Sequence, residues 1–566
     1  MTALSPFQAL PLHVVRQIAD QVVGSSRLQY DGVEPNTKSY HRLLRPLLWV
    51  CSNFREVSLA IYFSDFKLQL TSDLYKVHSM LAIQPSIPDI EYITHNHLGR
   101  PMYHLVKELN IEVDERSIYS GKALRMLMRE PYNGCAFPLV RTLTFSFAID
   151  GADKHNDSSS HEAEENIREF VQRIKLMVPK LRDIKIWPSD RGTRPEVISS
   201  HFGSLVSQLF QLVYRIECDI FYDTDVPMVL QLDRICNLTH IEYVTGNNSN
   251  QIIQLAQLNA LTLQSLDIKF QTANIADLIR DCNGTYVTYP HLLKLKLIGP
   301  SKFTNVQRPV FSGVVPFPIL TFLSLQLRYQ CDDDTFFRGN AATLQFLEMF
   351  LDHTTTSMLV RHNVFTPFSH PNLQCVHVES LYNYNPNKAI DSIGYMKFML
   401  SIGPNAAVRG IIGYPYWIDS RIGLSLLEKH TFIQVLTIIT SPLDLSAVMS
   451  LIKSLPLLSD LVTMPPRVGN VLDDITLHEL PTYLRTSYAS MGERFRCWQL
   501  LPFDNEDCFD IVICVLLIAL VCPNFDYAAP FHDDRAEFME TMKGVIDLEP
   551  FQEHAPRLRR LLFNGY

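Results

Sequence analysis

The chain has 566 residues, 47% of them hydrophobic and 19% charged, enough apolar material for a large core and the profile of a folded, soluble polypeptide. Lys and Arg number 50 against 59 Asp and Glu, so the net charge is −9 and there is no global cationic excess to release counterions from a phosphate backbone; general nucleic-acid binding is excluded. Eleven cysteines without a C-x-x-C pair, and a start, "MTALSPFQALPLHVV", without the basic opening and unbroken apolar run of a secretory signal, predict reduced thiols and a cytoplasmic and/or nuclear location.

The first predicted element is a helix over "LPLHVVRQIADQVV", with apolar residues at 10, 14, 18 and 22 and Val15, Ala19 and Val23 beside them. After the polar stretch "SSRLQYDGVEPNTKSYHR", a second stripe runs through Leu43, Leu47, Val50, Cys51, Phe54 and Val57, with Pro46 bending or delaying its start. The opening Leu-Pro, the Val/Ile helix and the "WVCSNFR" segment resemble an F-box. The resemblance implies that residues 1–63 form a helical F-box-like module. Leu10, Pro11, Val14, Val15 and Ile18, with Leu47, Val50, Cys51 and Phe54, would then bind the Skp-family adaptor of a cullin ubiquitin ligase. Periodicity alone equally allows an N-terminal helical cap over the first apolar edge of a repeat array.

Residues 64–135 read as a linker or N-terminal cap region. Within them "HNHLGRPMYH" carries His95, His97 and His104, but no nearby acid or cysteine completes a three-ligand set, and no metal or other cofactor is expected.

From residue 136 onward one frame recurs. "FPLVRTLTF", "VPKLRDIKI", "YPHLLKLKL", "FPILTFLSLQL", "HPNLQCVHV" and "APRLRRLLF" each place a proline ahead of an aliphatic L-x-x-L-x-L core, with an aromatic ending twice. Four copies lack the proline: "CNLTHIEY", "LTLQSLDI", "AATLQFLEM" and "TFIQVLTI". The expected buried triplets are Val140, Leu143 and Phe145; Leu181, Ile184 and Ile186; Leu238, Ile241 and Tyr243; Leu263, Leu266 and Ile268; Leu292, Leu295 and Leu297. They continue with Leu320, Leu323 and Leu325; Leu344, Leu347 and Met349; Leu373, Val376 and Val378; Ile433, Leu436 and Ile438; Leu558, Leu561 and Phe563.

The last two positions of each triplet alternate onto one face of a strand, and helix-like segments such as "ENIREFVQRIKLMV" lie between copies. A strand and a helix cannot bury both apolar faces alone, so neighbouring units must stack, with a spacing of about 24 to 29 residues over the middle copies. The pattern resembles the irregular leucine-rich-repeat family, without the asparagine that usually follows the core. The fold expected for 136–566 is therefore an α/β solenoid with a parallel inner sheet, outer helices and a C-terminal cap over about 490–566. Together with "MGERFRCW" and "VCPNFDYAAP", nearly the whole chain resembles an expanded fungal group of F-box/leucine-rich-repeat-like proteins of unknown role.

Intervening strand residues should face solvent on the concave side, and Lys294, Lys296, Phe322, Phe346 and His377 are the candidates for gripping a protein target, since interfaces concentrate energy in a few aromatic and cationic anchors. "DGADKHNDSSSHEAEE" (150–165) reads as a mobile acidic excursion, "CDDDTFF" (331–337) as a solvated loop, and "IVICVLLIALVC" (511–522), about 12 residues where a membrane span needs roughly 20, as a buried helix. No phosphate loop or nucleophile elbow appears. The expected role is non-enzymatic recognition of a protein target for a ligase, without nucleic acid or membrane; the alternative keeps the repeat array as a scaffold with no ligase link.

Overall fold

In the computed structural model nine of the ten triplets place their last two members on parallel strands, and the prolines occupy the turns ahead of them. The structure describes residues 11, 13–18, 57, 65–70, 102–129, 133–148, 160–188, 200–218, 230–246, 249–270, 278–280, 283–299, 315–326, 340, 342–351, 370–380, 410–413, 431–438, 443–464, 493–500, 508–525, 527–530, 535–552 and 555–559. The chain divides into two units, Met1–Ala273 and Asn274–Tyr566.

The first unit holds strands β1 (Asp65–Leu70), β2 (Glu108–Asp114), β3 (Thr142–Ala148), β4 (Asp183–Pro188), β5 (Arg215–Cys218), β6 (His240–Gly246) and β7 (Ser265–Phe270), each paired in parallel with the next in chain order. Register aligns Leu109, Leu143, Ile184, Ile216, Ile241 and Leu266 into one buried row. Parallel strands need a crossover to return to the same edge, and helices supply several of them. Helices α1 (Glu115–Tyr119) and α2 (Lys122–Leu127) follow β2, α3 (Ser160–Met177) follows β3, α4 (Ser200–Phe210) follows β4 and α5 (Ser249–Leu258) follows β6. Phe170 of α3 meets Phe145 at 6.4 Å, and Phe202 of α4 stands edge-on to Phe147 at 5.1 Å.

The second unit repeats the arrangement with β8 (Lys294–Ile298), β9 (Phe322–Gln326), β10 (Phe346–Leu351), β11 (Cys375–Ser380), β12 (Gly410–Gly413), β13 (Val435–Ile438), β14 (Asp460–Thr463), β15 (Cys497–Leu500) and β16 (Tyr527–Pro530), again parallel and in chain order. Its described helices include α6 (Leu445–Ser454), α7 (Cys508–Val521), α8 (Arg535–Ile546), α9 (Glu549–Gln552) and α10 (Ala555–Leu558). Residues 511–522 are buried on every side, as an apolar helix with no polar face must be. Among the described residues no helix is long and apolar enough to cross a membrane. Each unit is thus a solenoid-like α/β stack, and every fully buried Leu, Ile or Val in its rows contributes about 1.5–3 kcal/mol.

The prolines do not begin the strands, as an edge-strand rule would suggest. They stand four residues earlier, at the second position of a tight turn whose first residue is buried. The N–H of Leu320 reaches the carbonyl of Phe317 at 3.5 Å across Pro318, and the same contact links Val140 to Phe137 (3.2 Å), Leu181 to Val178 (3.1 Å), Leu292 to Tyr289 (3.3 Å) and Leu458 to Leu455 (3.0 Å). Proline's fixed φ suits that position, and it pushes the preceding residue into an extended conformation that turns its side chain into the core. The pre-proline residue is therefore a fourth buried member of the repeat, and Tyr289 and Phe317 meet in adjacent turns at 5.3 Å.

Three expectations are corrected. Leu558 lies in α10, not on a strand, because Pro556 opens a helical first turn with the same fixed φ that it would supply to a β-turn. Pairing of β6 with β7 slips between Ile241 and Val244, so that Val244, not Tyr243, stands opposite Ile268. Residues 160–165 are not an excursion but the start of α3: Ala163 is buried on its inner face, and Glu162 in the first turn suits the positive end of the helix dipole. Apart from the position after the core, where none was expected, an asparagine serves one turn ahead of a strand. Buried Asn259 accepts from the Leu238 N–H at 2.9 Å and donates to the carbonyls of Ile235 (3.0 Å) and Leu255 (2.8 Å). Residues 150–159 and 331–337 lie outside the described residues.

Candidate recognition surface

Strand alternation puts the intervening residues on the sheet face opposite the buried rows, and pairing register fixes which of them are neighbours. In the second unit Lys294, Phe322, Phe346 and Cys375 form one row across β8–β11, and Lys296, Ser324, Glu348 and His377 the next. All five residues expected to grip a target lie on these four strands.

The first row is a stack. The Phe322 and Phe346 rings lie 4.4 Å apart between centroids and within 4° of parallel, and the Lys294 ammonium sits 5.7 Å from the Phe322 centroid. Both phenylalanines are half-buried, leaving part of each ring accessible. The second row is joined by a hydrogen bond and an ion-pair contact. Ser324, fully buried, donates to Glu348 Oε2 at 2.5 Å, and His377 Nδ1 lies 3.0 Å from Glu348 Oε1. Burial, and then the Glu348 charge, push the Cys375 thiol up to about 11; burial and the charge of Asp460, which also accepts a hydrogen bond from the thiol, raise Cys497 to about 11. Both sulfurs are protonated at neutral pH and poor nucleophiles.

In the first unit the equivalent face of β2–β5 holds a cleft of about 310 Å³ lined by Glu108, Thr142, Thr144, Asp183, Lys185, Arg215 and Glu217 among others. Its cations are spoken for. Lys185 Nζ lies 2.8 Å from buried Glu217, Arg215 bonds Glu242, whose other oxygen accepts from Ser265 at 3.3 Å, and Thr142 donates to Asp183 at 3.0 Å. Such buried acids are tolerated only while paired, so the charge pattern is rigidly held. Arg215 and Glu217 come from β5, a strand not expected from the sequence, although Val213, Ile216 and Cys218 repeat the buried frame without its proline or a third aliphatic residue.

No family model matches this sequence, and no curated protein matches it. Of the residues that the F-box resemblance implicates, Pro11, Val14, Val15 and Ile18 are described. A helical turn over 13–18 follows Pro11, whose carbonyl accepts from the Val14 N–H at 2.9 Å and the Val15 N–H at 3.2 Å. Val15 is fully buried by the chain itself, Val14 is half-buried, and Pro11 and Ile18 are exposed. Leu10, Leu47, Val50, Cys51 and Phe54 lie outside the described residues, as do His95 and His97. Among the described residues no group of three His, Cys, Asp or Glu is placed to hold a metal ion.

Proposed function

We propose that this chain is a non-enzymatic recognition subunit: an irregular leucine-rich-repeat array holds a protein target on its open strand face, and the F-box-like segment 1–63 docks the Skp-family adaptor of a cullin ubiquitin ligase. The observation that carries the reading is the stacked, half-buried Phe322–Phe346 pair beside Lys294 and the fixed Ser324–Glu348–His377 chain. Pre-ordered aromatic anchors with a polar, hydrogen-bonded surround are what protein interfaces use to concentrate binding energy, because little side-chain entropy remains to be lost on docking. The carboxylates of this surface are engaged in ion pairs and hydrogen bonds and its thiols are held protonated, which suits complementarity rather than covalent chemistry. Ubiquitin transfer would come from the recruited ligase, through proximity.

The ligase half of the proposal rests on the resemblance of residues 10–54. The alternative is a scaffold whose N-terminal helix serves as a cap, and the complete burial of Val15 favours it. Affinity purification of the tagged full chain from its native cell, with peptide identification, separates the two. Retention of a Skp-family protein, lost in Ile18→Glu, supports the adaptor reading; a retained target without any Skp-family protein leaves the scaffold. A target still held at full strength by a Phe322→Ala, Phe346→Ala double variant would refute the open face as the binding surface.

A further inference from the structure

Immediately ahead of β2, β3 and β4 stand Lys107, Arg141 and Arg182. Because Glu108, Thr142 and Asp183 are register partners, these three cations occupy equivalent positions at the strand entry edge, about 4.8 Å apart from strand to strand. The backbone holds the row in place: the Arg182 N–H donates to the Arg141 carbonyl at 2.8 Å, and the Tyr214 N–H continues to the Arg182 carbonyl at 2.9 Å. All three side chains are exposed, and among the described residues none has an ion-pair partner. The contrast with the neighbouring cleft is sharp, since Lys185 on β4 and Arg215 on β5 are each neutralised by a glutamate.

Like charges facing one another on paired strands are destabilising, and a chain with nine more acids than bases has no shortage of carboxylates to relieve them. Exposed Tyr214 (55% accessible) continues the row ahead of β5, and Leu139 (47%) is exposed beside Arg141 in the turn before β3. We propose that this rim docks an acidic polypeptide segment, its carboxylates on the Lys107–Arg141–Arg182 row and an apolar side chain against Tyr214. Arginine's planar fork takes a carboxylate with two parallel bonds, and an ammonium beside it adds a point charge. A nucleic acid is the weaker candidate, because the net charge of −9 repels a long polyanion whereas a short acidic segment meets mainly the local field. The rim lies at the strand entry edge of the first unit, so the inference does not depend on the role proposed for Phe322 and Phe346.

The test uses the full chain and a fluorescein-labelled octapeptide of alternating Glu and Ala, followed by fluorescence anisotropy at low and high salt. Binding that weakens with salt, and by about tenfold in an Arg141→Gln, Arg182→Gln double variant, supports the docking. Both side chains are exposed, so the double variant should fold as the parent does; unchanged circular dichroism and melting temperature establish that. Phe346→Ala should leave peptide affinity intact, which separates this surface from the open face. Three outcomes would overturn the proposal: no binding at low salt, equal affinity in the double variant, or tighter binding of an oligothymidylate or a phosphoserine peptide of the same length.

Discussion

Phe322 and Phe346, on facing positions of adjacent strands, lie ring upon ring at 4.4 Å. Offset and stacked aromatic pairs are worth about 0.5–1.5 kcal/mol beyond the area they bury, so the two should act as one energetic unit. Each single alanine variant should lose about 1–2 kcal/mol of stability, and the double variant less than the sum by about 0.5–1.5 kcal/mol. Urea unfolding of the four proteins measures the coupling; strict additivity would mean that the stack is incidental.

Glu348 carries the second row. Replacing it by Leu removes the acceptor of the fully buried Ser324 hydroxyl and the partner of His377, and a buried polar group left without a bond costs about 1–3 kcal/mol. Glu348→Leu should therefore be markedly destabilised, and adding Ser324→Ala should recover part of the loss, because the stranded hydroxyl is gone. If the second change only deepens the loss, the hydroxyl was satisfied elsewhere.

Nine of the ten triplets read from the sequence place their last two members on strands, because a period of two with a bulky apolar residue at both inward positions is hard to imitate. Of the strands that escaped notice, β2 keeps the whole frame in buried Val106, Leu109 and Ile111, whereas several others break it at one buried position while keeping the spacing. Cys218 ends β5, and Thr463 ends β14, its hydroxyl accepting the Trp498 indole N–H at 3.0 Å; Trp498, in β15, stands opposite Leu461, and β12 offers only "GIIG". A hydroxyl can be buried there because the neighbouring strand supplies its partner, which no single-strand pattern reveals. The expected face of Lys294, Lys296, Phe322, Phe346 and His377 was legible from alternation, whereas the Lys185–Glu217 and Arg215–Glu242 pairs were not, because they depend on β5 being present between β4 and β6.

Helix α7 offers a test of core placement within one element. Leu516 is completely buried, whereas Phe509, one residue into the same helix, is 48% accessible. Leu516→Ala should cost about 2–5 kcal/mol through lost transfer energy and the cavity left behind, and Phe509→Ala should stay within about 0.5 kcal/mol. Denaturant midpoints decide it, and equal effects would contradict the burial seen for this helix.

The two thiols on the open faces should make alkaline stability depend on pH. Cys375 and Cys497 hold their protons up to about 11 when folded, against an ordinary value of 9.0. Between those values the unfolded chain has released a proton that the folded chain retains, so the folded state becomes less favourable as pH rises. Their contribution is fully present below about pH 9 and is lost by about pH 11. Since Lys and Tyr titrate in the same range, the informative quantity is the difference between the parent and a Cys375→Ser, Cys497→Ser double variant: the parent should lose more stability over this interval. Alkylation followed by mass spectrometry gives an independent reading, with exposed Cys236 modified well before either thiol at pH 8. Glu348→Gln should speed modification of Cys375 alone, because it removes the negative charge that adds to burial in holding the proton on that sulfur.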